Sequence, residues 1–362
     1  MGGDGVMAKF SEVLTIVNGR NQKQVVCDDG KYPIYGSGGI MGYANDYICK
    51  AETVVIGRKG SINKPIFVET PFWNVDTAFG LCANSEKLNP KYLYYFCEKF
   101  DFEKLNTTVT IPSLTKSNLL NVEIPLPNLE KQKQIVELLD KVTSLIFLRK
   151  QQLSKLDELV KARFVEMFGD ISNSRKVPMQ DVCKIITDGT HQPPKFVLSG
   201  IPFLFVSNIV TNEIHYDAEK FISEETYNEL IKRTPIEVGD VLLSTVGSYG
   251  HPAVVKENKP FCFQRHIAYL KPNNSEVNSE YLRCAILSTD LQRQIDESVK
   301  GIAQKTLNLS EIRKLRLPLP SLSLQNQFAA FVERIDRQKQ TVQQSLEKLE
   351  LMKRALMQEY FG

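Results

Sequence analysis

The chain has 362 residues, with 45 Lys and Arg, 42 Asp and Glu, and a formal net charge of +3 at pH 7. This length predicts two or three domains, and the mild positive charge permits nucleic-acid binding without indicating it. We find no apolar run of about 18 residues and no secretory leader, so we expect a soluble, cytoplasmic chain without a membrane span.

The first part of the chain, residues 1 to about 105, alternates short β-like runs with turn residues. Runs at 53–56 and 65–68 predict strands, and a helical pattern follows at 90–104. Between the two runs lies the segment Gly57–Gly60, whose glycines let the backbone approach another molecule closely. The composition of this part therefore predicts an α+β domain.

A Pro-Leu-Pro element at 125–127 then separates this domain from a long helical pattern. Two fixed φ angles and two missing N–H donors forbid a helix at the element and favour an extended edge segment. No glycine or proline follows until Gly169, which leaves roughly 40 residues, or about 60 Å, of possible helix. Apolar positions recur near every 3.5 residues, which is typical of a coiled coil. The alternative is an exposed helix that packs only at its ends.

The second half of the chain repeats the first. Residues 114–169 align with 307–362 at a constant offset of 193, and 16 of the 56 pairs are identical. Strand-like runs at 201–206 and 241–246 and a helical pattern at 279–297 match the first domain at drifting offsets. The offset grows from 169 at Pro33 and Pro202 to 190 at Gly57 and Gly247, so the second copy carries a net insertion of about 21 residues between these points.

This duplication predicts two tandem, pseudo-twofold-related α+β domains, each followed by a long helix. We expect the first domain at 1–118, the first Pro-Leu-Pro element with its helix at 119–170, the second domain at 171–311 and the second element with its helix at 312–362. The two helices are expected to form an antiparallel coiled coil.

Motifs of catalysis and of metal binding are missing from the sequence. We find no G-x-x-x-x-G-K-[ST], G-x-G-x-x-G, H-E-x-x-H or G-x-S-x-G pattern. The stretch His191–Lys195 superficially resembles the Asn/Asp-Pro-Pro-aromatic loop of amino-methyltransferases, but glutamine and lysine occupy its two key positions. The four histidines lack metal-like spacing, and the seven cysteines, without a C-x-x-C pair, predict buried thiols. We therefore expect no catalytic centre and no metal.

The repeated segments resemble the specificity subunit of type I restriction-modification systems. The resemblance is carried by the leader residues Leu114 and Ser117 before Pro-Leu-Pro, by the Gln-x-Gln start of the helix and by its Phe-Gly end, each present in both copies. It covers essentially the whole chain. The segments Gly57–Gly60 and Gly247–Gly250 also resemble the glycine-bearing strand connection of that family.

This resemblance implies a DNA-binding subunit without catalysis of its own. In that family each globular part is a target-recognition domain that reads one half of a split, asymmetric double-stranded DNA sequence, and the paired helices set the distance between the halves. Two methyltransferase subunits and the restriction subunits are the implied partners. S-adenosylmethionine, ATP and Mg are then expected on those partners, and no cofactor is expected on this chain.

Candidate DNA contacts are exposed polar side chains on loops, which can reach base edges and phosphates. In the first domain these are Arg58, Lys59, Ser61, Asn63, Lys64, Thr107, Thr108 and Thr110. In the second domain they are Thr190, His191, Lys195, Ser248, Tyr249, His251, Gln264, Arg265 and Lys300. The alternative for each residue is a polar loop side chain that is solvated and contacts no DNA.

Candidate partner contacts are the residues that both copies share, because two identical partners require equivalent surfaces. These are Pro125, Leu126, Pro127, Gln132 and Gln134 in the first copy, with Pro318, Leu319, Pro320, Gln325 and Gln327 in the second. Three alternatives to the whole assignment stay open: a coiled-coil adaptor that binds proteins and not DNA, a duplicated nuclease or methyltransferase, and a modification-only system without a restriction subunit.

Overall fold

The computed structural model describes residues 6–106, 113–169, 176–301 and 305–362. Contacts divide the chain into unit 1, formed by residues 1–151 and 343–362, and unit 2, formed by residues 152–342. Both long helices contribute to both units, because the division crosses each helix. The four predicted sequence segments follow chain order rather than packing, so their boundaries stay predictions.

Unit 1 contains a four-stranded antiparallel sheet with strand order β2-β8-β5-β6, a three-stranded sheet β4-β3-β7 and the antiparallel pair β1-β9. Its strands are β1 (Met7–Lys9), β2 (Leu14–Asn18), β3 (Tyr32–Gly36), β4 (Gly39–Ala44), β5 (Thr53–Gly57), β6 (Ile66–Val68), β7 (Trp73–Asn74), β8 (Ala78–Ala83) and β9 (Glu123–Pro125). Its helices are α1 (Phe10–Val13), α2 (Pro90–Lys99), α3 (Lys116–Leu120) and the first part of α4 (Leu129–Phe168), with a 3-10 turn at Phe102–Leu105.

Helix α2 packs on the larger sheet of unit 1 because its sequence supplies both a cap and an apolar face. Asn89 accepts hydrogen bonds from the backbone N–H groups of Lys91 and Tyr92, which satisfies two donors at the helix start. Tyr92 and Phe96 are buried in the core. The same core receives Met357 from the second long helix, so the end of that helix belongs to this unit.

Unit 2 has a four-stranded antiparallel sheet with order β11-β18-β15-β16, a smaller sheet β12-β14-β13-β17 and the pair β10-β19. Its strands are β10 (Lys176–Pro178), β11 (Cys183–Asp188), β12 (Phe196–Val197), β13 (Ile201–Leu204), β14 (Phe221–Ile222), β15 (Val241–Ser244), β16 (Pro252–Val254), β17 (Cys262–Phe263), β18 (Ile267–Pro272) and β19 (Arg316–Pro318). Its helices are α5 (Met179–Val182), α6 (Glu224–Leu230), α7 (Ser279–Ile286), α8 (Thr289–Ser298), α9 (Leu309–Lys314) and the first part of α10 (Leu322–Phe361), with a 3-10 turn at Val206–Asn208.

A partly buried charge cluster joins the second domain to α10 within unit 2. Lys256 contacts Asp336 of α10 at 2.5 Å and Glu280 of α7 at 3.4 Å. Arg283 donates from Nε to Glu280 at 2.7 Å. Because Glu280 and Arg283 are mostly buried, removing Glu280 would leave the Arg283 guanidinium without this carboxylate, which is strongly destabilising for a buried charge.

The two long helices are confirmed, since α4 and α10 each span 40 residues and begin just after their Pro-Leu-Pro elements. The extended leaders are also confirmed, because β9 pairs with β1 and β19 pairs with β10. The expected strand at 201–206 ends at Leu204, and the helical pattern at 279–297 forms two helices. The first of these ends at Ile286, and Ser288 caps the second by accepting a hydrogen bond from the N–H of Leu291.

The long helices contact each other inside each unit and run in opposite directions there, because residues later in α4 meet residues earlier in α10. Met357 shares a core with Ile135 in unit 1, and Phe168 packs on Phe328 in unit 2. In unit 1, Lys150 of α4 pairs with Glu350 of α10 at 2.8 Å. In unit 2, Lys339 of α10 pairs with Asp157 of α4 at 2.8 Å. The α+β class with two tandem domains is confirmed, while regular coiled-coil packing along both helices stays a prediction.

Five of the seven cysteines are buried, at positions 49, 97, 183, 262 and 284, and all seven are free thiols. Burial raises the pKa of the Cys262 thiol to about 12, so this group stays protonated at neutral pH.

In the parts of the chain that the structure describes, no helix combines the length and the apolar character that crossing a membrane requires. Across the same ranges, no group of three or more His, Cys, Asp or Glu side chains is placed to hold a metal ion.

Candidate nucleic-acid interface

In unit 1 the predicted loop 58–64 begins where β5 ends and is held by backbone contacts on both sides. The N–H of Arg58 donates to Thr77 at 2.8 Å, and its carbonyl accepts from Leu114 at 2.9 Å. Ile62 is buried and anchors the middle of the loop. Arg58, Lys59, Ser61 and Lys64 remain exposed, so the loop presents three cations on a supported backbone.

Asn63, also predicted to contact DNA, is bonded at both ends inside unit 1. Its Nδ2 donates to Asp101 at 2.9 Å, and its Oδ1 accepts from the N–H of Phe102 at 2.7 Å. These bonds tie the loop to the 3-10 turn at 102–105. The side chain therefore supports the loop, and a direct DNA contact would require it to exchange these partners.

Replacing Asn63 with alanine should raise the pKa of Asp101. The Asn63 amide is the main cause that holds the pKa of this carboxyl below its ordinary value, followed by the N–H of Glu103. A lowered carboxyl pKa contributes stability that is present above the unfolded-state pKa and is lost as pH falls through the folded-state pKa. The variant should lose part of that contribution. NMR titration of the Asp101 carboxyl measures the shift, Ser61→Ala is the matched control, and an unmoved titration would disprove this link.

The β3–β4 hairpin lies beside this loop, and sequence reasoning missed it. A Cβ added at Gly57 would lie 3.0 Å from the Cβ of Ser37 at the hairpin tip. On β4 the apolar side chains of Ile40, Met41 and Tyr43 are 55%, 63% and 46% exposed. The signal available in the sequence was that Ile40 and Met41 are consecutive apolar residues. Neighbouring residues on a strand point to opposite faces, so a strand with one buried face must expose one of them. The second predicted loop, with Thr107, Thr108 and Thr110, lies outside the described residues.

In unit 2 the structure brings most of the predicted DNA residues to one face. The loop after β15 contains Gly247 and Gly250 at φ of +72° and +81°, a conformation that favours glycine. Ser248 lies exposed between them. Val246 and Lys300 both form β-bridges to Thr306, so residues about 55 positions apart meet beside this loop.

The turn after β11 lies next to the same face. Thr190 forms a parallel bridge with Gln264 and accepts a hydrogen bond from the N–H of Arg265 at 3.0 Å. Arg265 donates from Nε to Nε2 of His266 at 3.3 Å. Burial, with the nearby Arg265 charge, lowers the pKa of His266, so a neutral acceptor ring is favoured. Arg265 and His266 line a cleft of about 410 Å³ with Thr245 and Thr306.

Three predicted residues of unit 2 differ from this pattern. Tyr249 is partly buried and donates its hydroxyl to Asp296 at 2.9 Å. His251 lies with Nδ1 3.3 Å from Oδ1 of Asn212. These two side chains are engaged within the unit, while Lys195 is exposed on the segment before β12. The DNA-contact assignments as a group stay predictions.

The predicted partner residues fall into two classes that repeat between the copies. Gln134 and Gln327 are exposed, and both Pro-Leu-Pro elements are partly exposed. Gln132 and Gln325 are instead fully buried. The side-chain oxygen of Gln132 accepts from the N–H of Asn89, and its Nε2 donates to the carbonyls of Lys87 and Pro127. The hydrogen-bonding groups of this amide are therefore engaged inside the fold. This burial speaks against a direct partner contact by these two glutamines.

Comparison with known sequences identifies a family in both copies. Residues 4–158 and 172–351 match the family described as type I restriction modification DNA specificity domain. The chain is 23% identical over 317 residues to the EcoBI type I restriction enzyme specificity subunit of Escherichia coli, a match to 78% of this chain and 66% of that subunit. It is 20% identical over 377 residues to the MjaVIII specificity subunit of Methanocaldococcus jannaschii, covering 98% and 82%.

Solved structures show the same fold. An S subunit of a type I restriction-modification system from M. genitalium superimposes with a TM-score of 0.64 at 16% identity, over 100% of this chain and 98% of that one. A chain from a structure of the type I R-M system superimposes with a TM-score of 0.59 at 17% identity, over 99% and 98%. The two-domain arrangement with long helices is therefore shared with these chains.

Proposed function

This chain belongs to the family of type I restriction modification DNA specificity domains, and from this membership we propose that it reads a double-stranded DNA target made of two unequal halves. Each α+β domain reads one half. The observation that carries this proposal is the presence of two family domains with the same scaffold and different exposed donors.

The difference between the donors supports two different half-sites. Unit 1 presents Arg58, Lys59 and Lys64 on the loop after β5, while the matching loop of unit 2 carries Ser248 and has Lys300 beside it. Arg265 occupies a turn where the first copy has Asp76. The two domains therefore carry their cationic side chains at different positions of the same fold. Because base recognition depends on where each donor enters the groove, the two domains should read different bases.

The repeated surfaces support identical partners. We propose that two methyltransferase subunits bind around the Pro-Leu-Pro elements and the exposed Gln134 and Gln327, since these positions are alike in both copies. Restriction subunits complete the complex where the system contains them. The net charge of +3 supports weak DNA binding by the isolated chain, with partner subunits supplying much of the electrostatic attraction.

The proposed role includes no catalysis by this chain. S-adenosylmethionine, ATP and Mg are assigned to the partner subunits, which carry out methylation and cleavage, and the complex is placed in the cytoplasm. The second candidate function is a protein-binding adaptor, which the contacts between α4 and α10 within each unit would also support.

Modified-base sequencing tests the proposal in a methylation-free host that expresses the methyltransferase encoded beside this chain, with and without the chain. We expect a methylated motif of two unequal halves separated by a fixed gap, present only with the chain. Arg58→Glu and Arg265→Glu should each weaken methylation through their own half, whereas an adaptor would tolerate both changes. Methylation that persists without the chain, with both proteins expressed, would refute the proposal.

A further inference from the structure

We propose that Asp188, His191 and Arg233 form a base-reading cluster that recognises a guanine in the second half-site. Neither Asp188 nor Arg233 carries a DNA-binding signal in the sequence, and the fold brings them together across 45 positions. The inference rests on the proposed DNA-reading function and deepens it, because it names a group in unit 2 and the base that this group recognises.

The geometry of the cluster is set by the carboxylate. Asp188 ends β11, where it is paired in register with Ala268 of β18, and its side chain is 14% exposed. Nη2 of Arg233 donates to its Oδ1 at 2.5 Å, and Nε2 of His191 lies 2.9 Å from its Oδ2. The outer side chains are 52% and 53% exposed. The Asp188 carboxylate therefore orients the guanidinium of Arg233 and the imidazole of His191, and both groups still face solvent.

The chemistry of the cluster favours a base edge over a phosphate. Asp188 offsets the charge of Arg233, so the pair adds little to the attraction of a polyanion. The guanidinium keeps N–H donors that the carboxylate does not use, arranged in a planar fork. Guanine presents two adjacent acceptors, N7 and O6, in the major groove, whereas adenine presents an acceptor beside a donor. A fork of donors held in place by a carboxylate therefore matches guanine.

The position of the cluster supports the same conclusion. His191 and Arg233 line a recess of about 180 Å³ together with Thr190, and Thr190 bonds the backbone of Arg265. The recess thus adjoins the predicted DNA face of unit 2. Arg233 follows α6, in the region where the second copy is about 21 residues longer than the first, and Asn18 occupies the position that matches Asp188. The cluster is specific to the second domain.

The experiment uses the complex of this chain with its methyltransferase and a set of duplexes based on the methylated motif. Each position of both half-sites is substituted in turn, and binding is measured at several salt concentrations. Arg233→Ala should reduce discrimination at one G·C pair of the second half-site about tenfold. Discrimination in the first half-site and the slope of affinity against salt should not change.

Two further variants, together with a control, test whether discrimination depends on the geometry of the donors, on charge alone or on a general disturbance of the fold. Arg233→Lys keeps the charge and loses the planar fork, so discrimination at the same base pair should fall, but by less than in Arg233→Ala because lysine also donates to guanine. Asp188→Asn should show a smaller loss there, because it weakens the orientation of Arg233. Arg293→Ala is the matched control, since Arg293 lies on α8 of the same unit and pairs with Asp290 and Glu297. It should bind like the wild-type chain.

Several outcomes would overturn the inference. Equal weakening of all duplexes by Arg233→Ala, with a salt slope smaller by about one, would make Arg233 a phosphate contact. Wild-type discrimination in Arg233→Lys would show that the fork is not used. The wild-type complex distinguishes the two proposals: if it has no two-part target, the proposed function fails, and if it has one that Arg233 variants leave intact, only this inference fails.

Discussion

Replacing Phe328 with alanine is expected to destabilise unit 2 by about 3–5 kcal/mol, the usual cost of removing a buried aromatic ring. Phe328 is fully buried, and its ring centroid lies 5.5 Å from that of Phe164 and 5.4 Å from that of Phe168. The substitution leaves a cavity where α4 and α10 pack within the unit. It also removes two edge-to-face ring contacts.

Hydrogen exchange of the backbone amides in β15 and β18 measures this loss without assuming that the whole chain unfolds in one step. Because 1.4 kcal/mol is about a tenfold change in an equilibrium constant, these amides should exchange about a hundredfold to several thousandfold faster. Val165→Ala shortens a side chain of the same unit that is 64% exposed, so it should change little. Equal protection in Phe328→Ala and the wild-type chain would show that this ring does not stabilise the unit.

Replacing Gln325 with alanine is expected to cost unit 2 about 3 kcal/mol, because this fully buried side chain makes three hydrogen bonds to the backbone and each contributes about 1 kcal/mol. Its Oε1 accepts from the N–H of Asn278 at 2.8 Å, and its Nε2 donates to the carbonyls of Glu276 and Pro320 at 3.0 and 2.9 Å. The side chain thus joins the start of α7, the preceding turn and the Pro-Leu-Pro element. Gln132→Ala should have the same effect in unit 1, where the bonds are equivalent.

The control for each glutamine lies two residues further along the same helix. Gln327→Ala and Gln134→Ala change exposed side chains, so they should alter the free energy of unfolding by less than about 0.5 kcal/mol. Exchange protection in the matching unit is again the measurement. If the buried and exposed glutamines proved equally tolerant, the structural role of the buried pair would be wrong. A loss of methyltransferase binding confined to the exposed pair would support the proposed partner surface.

Local sequence signals were sufficient to predict the long helices and the extended elements before them. Proline fixes φ and removes an N–H in any context, so Pro125 and Pro318 mark a break whatever surrounds them. The absence of glycine and proline up to Gly169 and Gly362 then permits continuous helix, and α4 and α10 fill that length. The splitting of 279–297 was less visible, because it depends on Ser288 acting as a cap.

The candidate site residues were predicted from their residue type and from their position on a loop. Neither property reveals where a side chain points. Arg58 and Lys59 are exposed as expected, whereas Asn63 bonds to Asp101 and Phe102. The glutamine pairs show the same limit, since Gln132 and Gln134 look alike in the sequence and differ completely in burial. A helix places residues two positions apart on different faces, and only the packed domain selects the face that is buried.

The sequence by itself determined the duplication, the α+β character of each domain, the length of both helices and the family, because repeats, periodicity and proline geometry are properties of the chain read in order. The tertiary structure alone decided which residues meet across long separations. Arg233 reaches Asp188, and Val246 and Lys300 meet at Thr306, through sheet pairing and core packing. Such contacts depend on the free energy of the whole domain, and no local pattern encodes them.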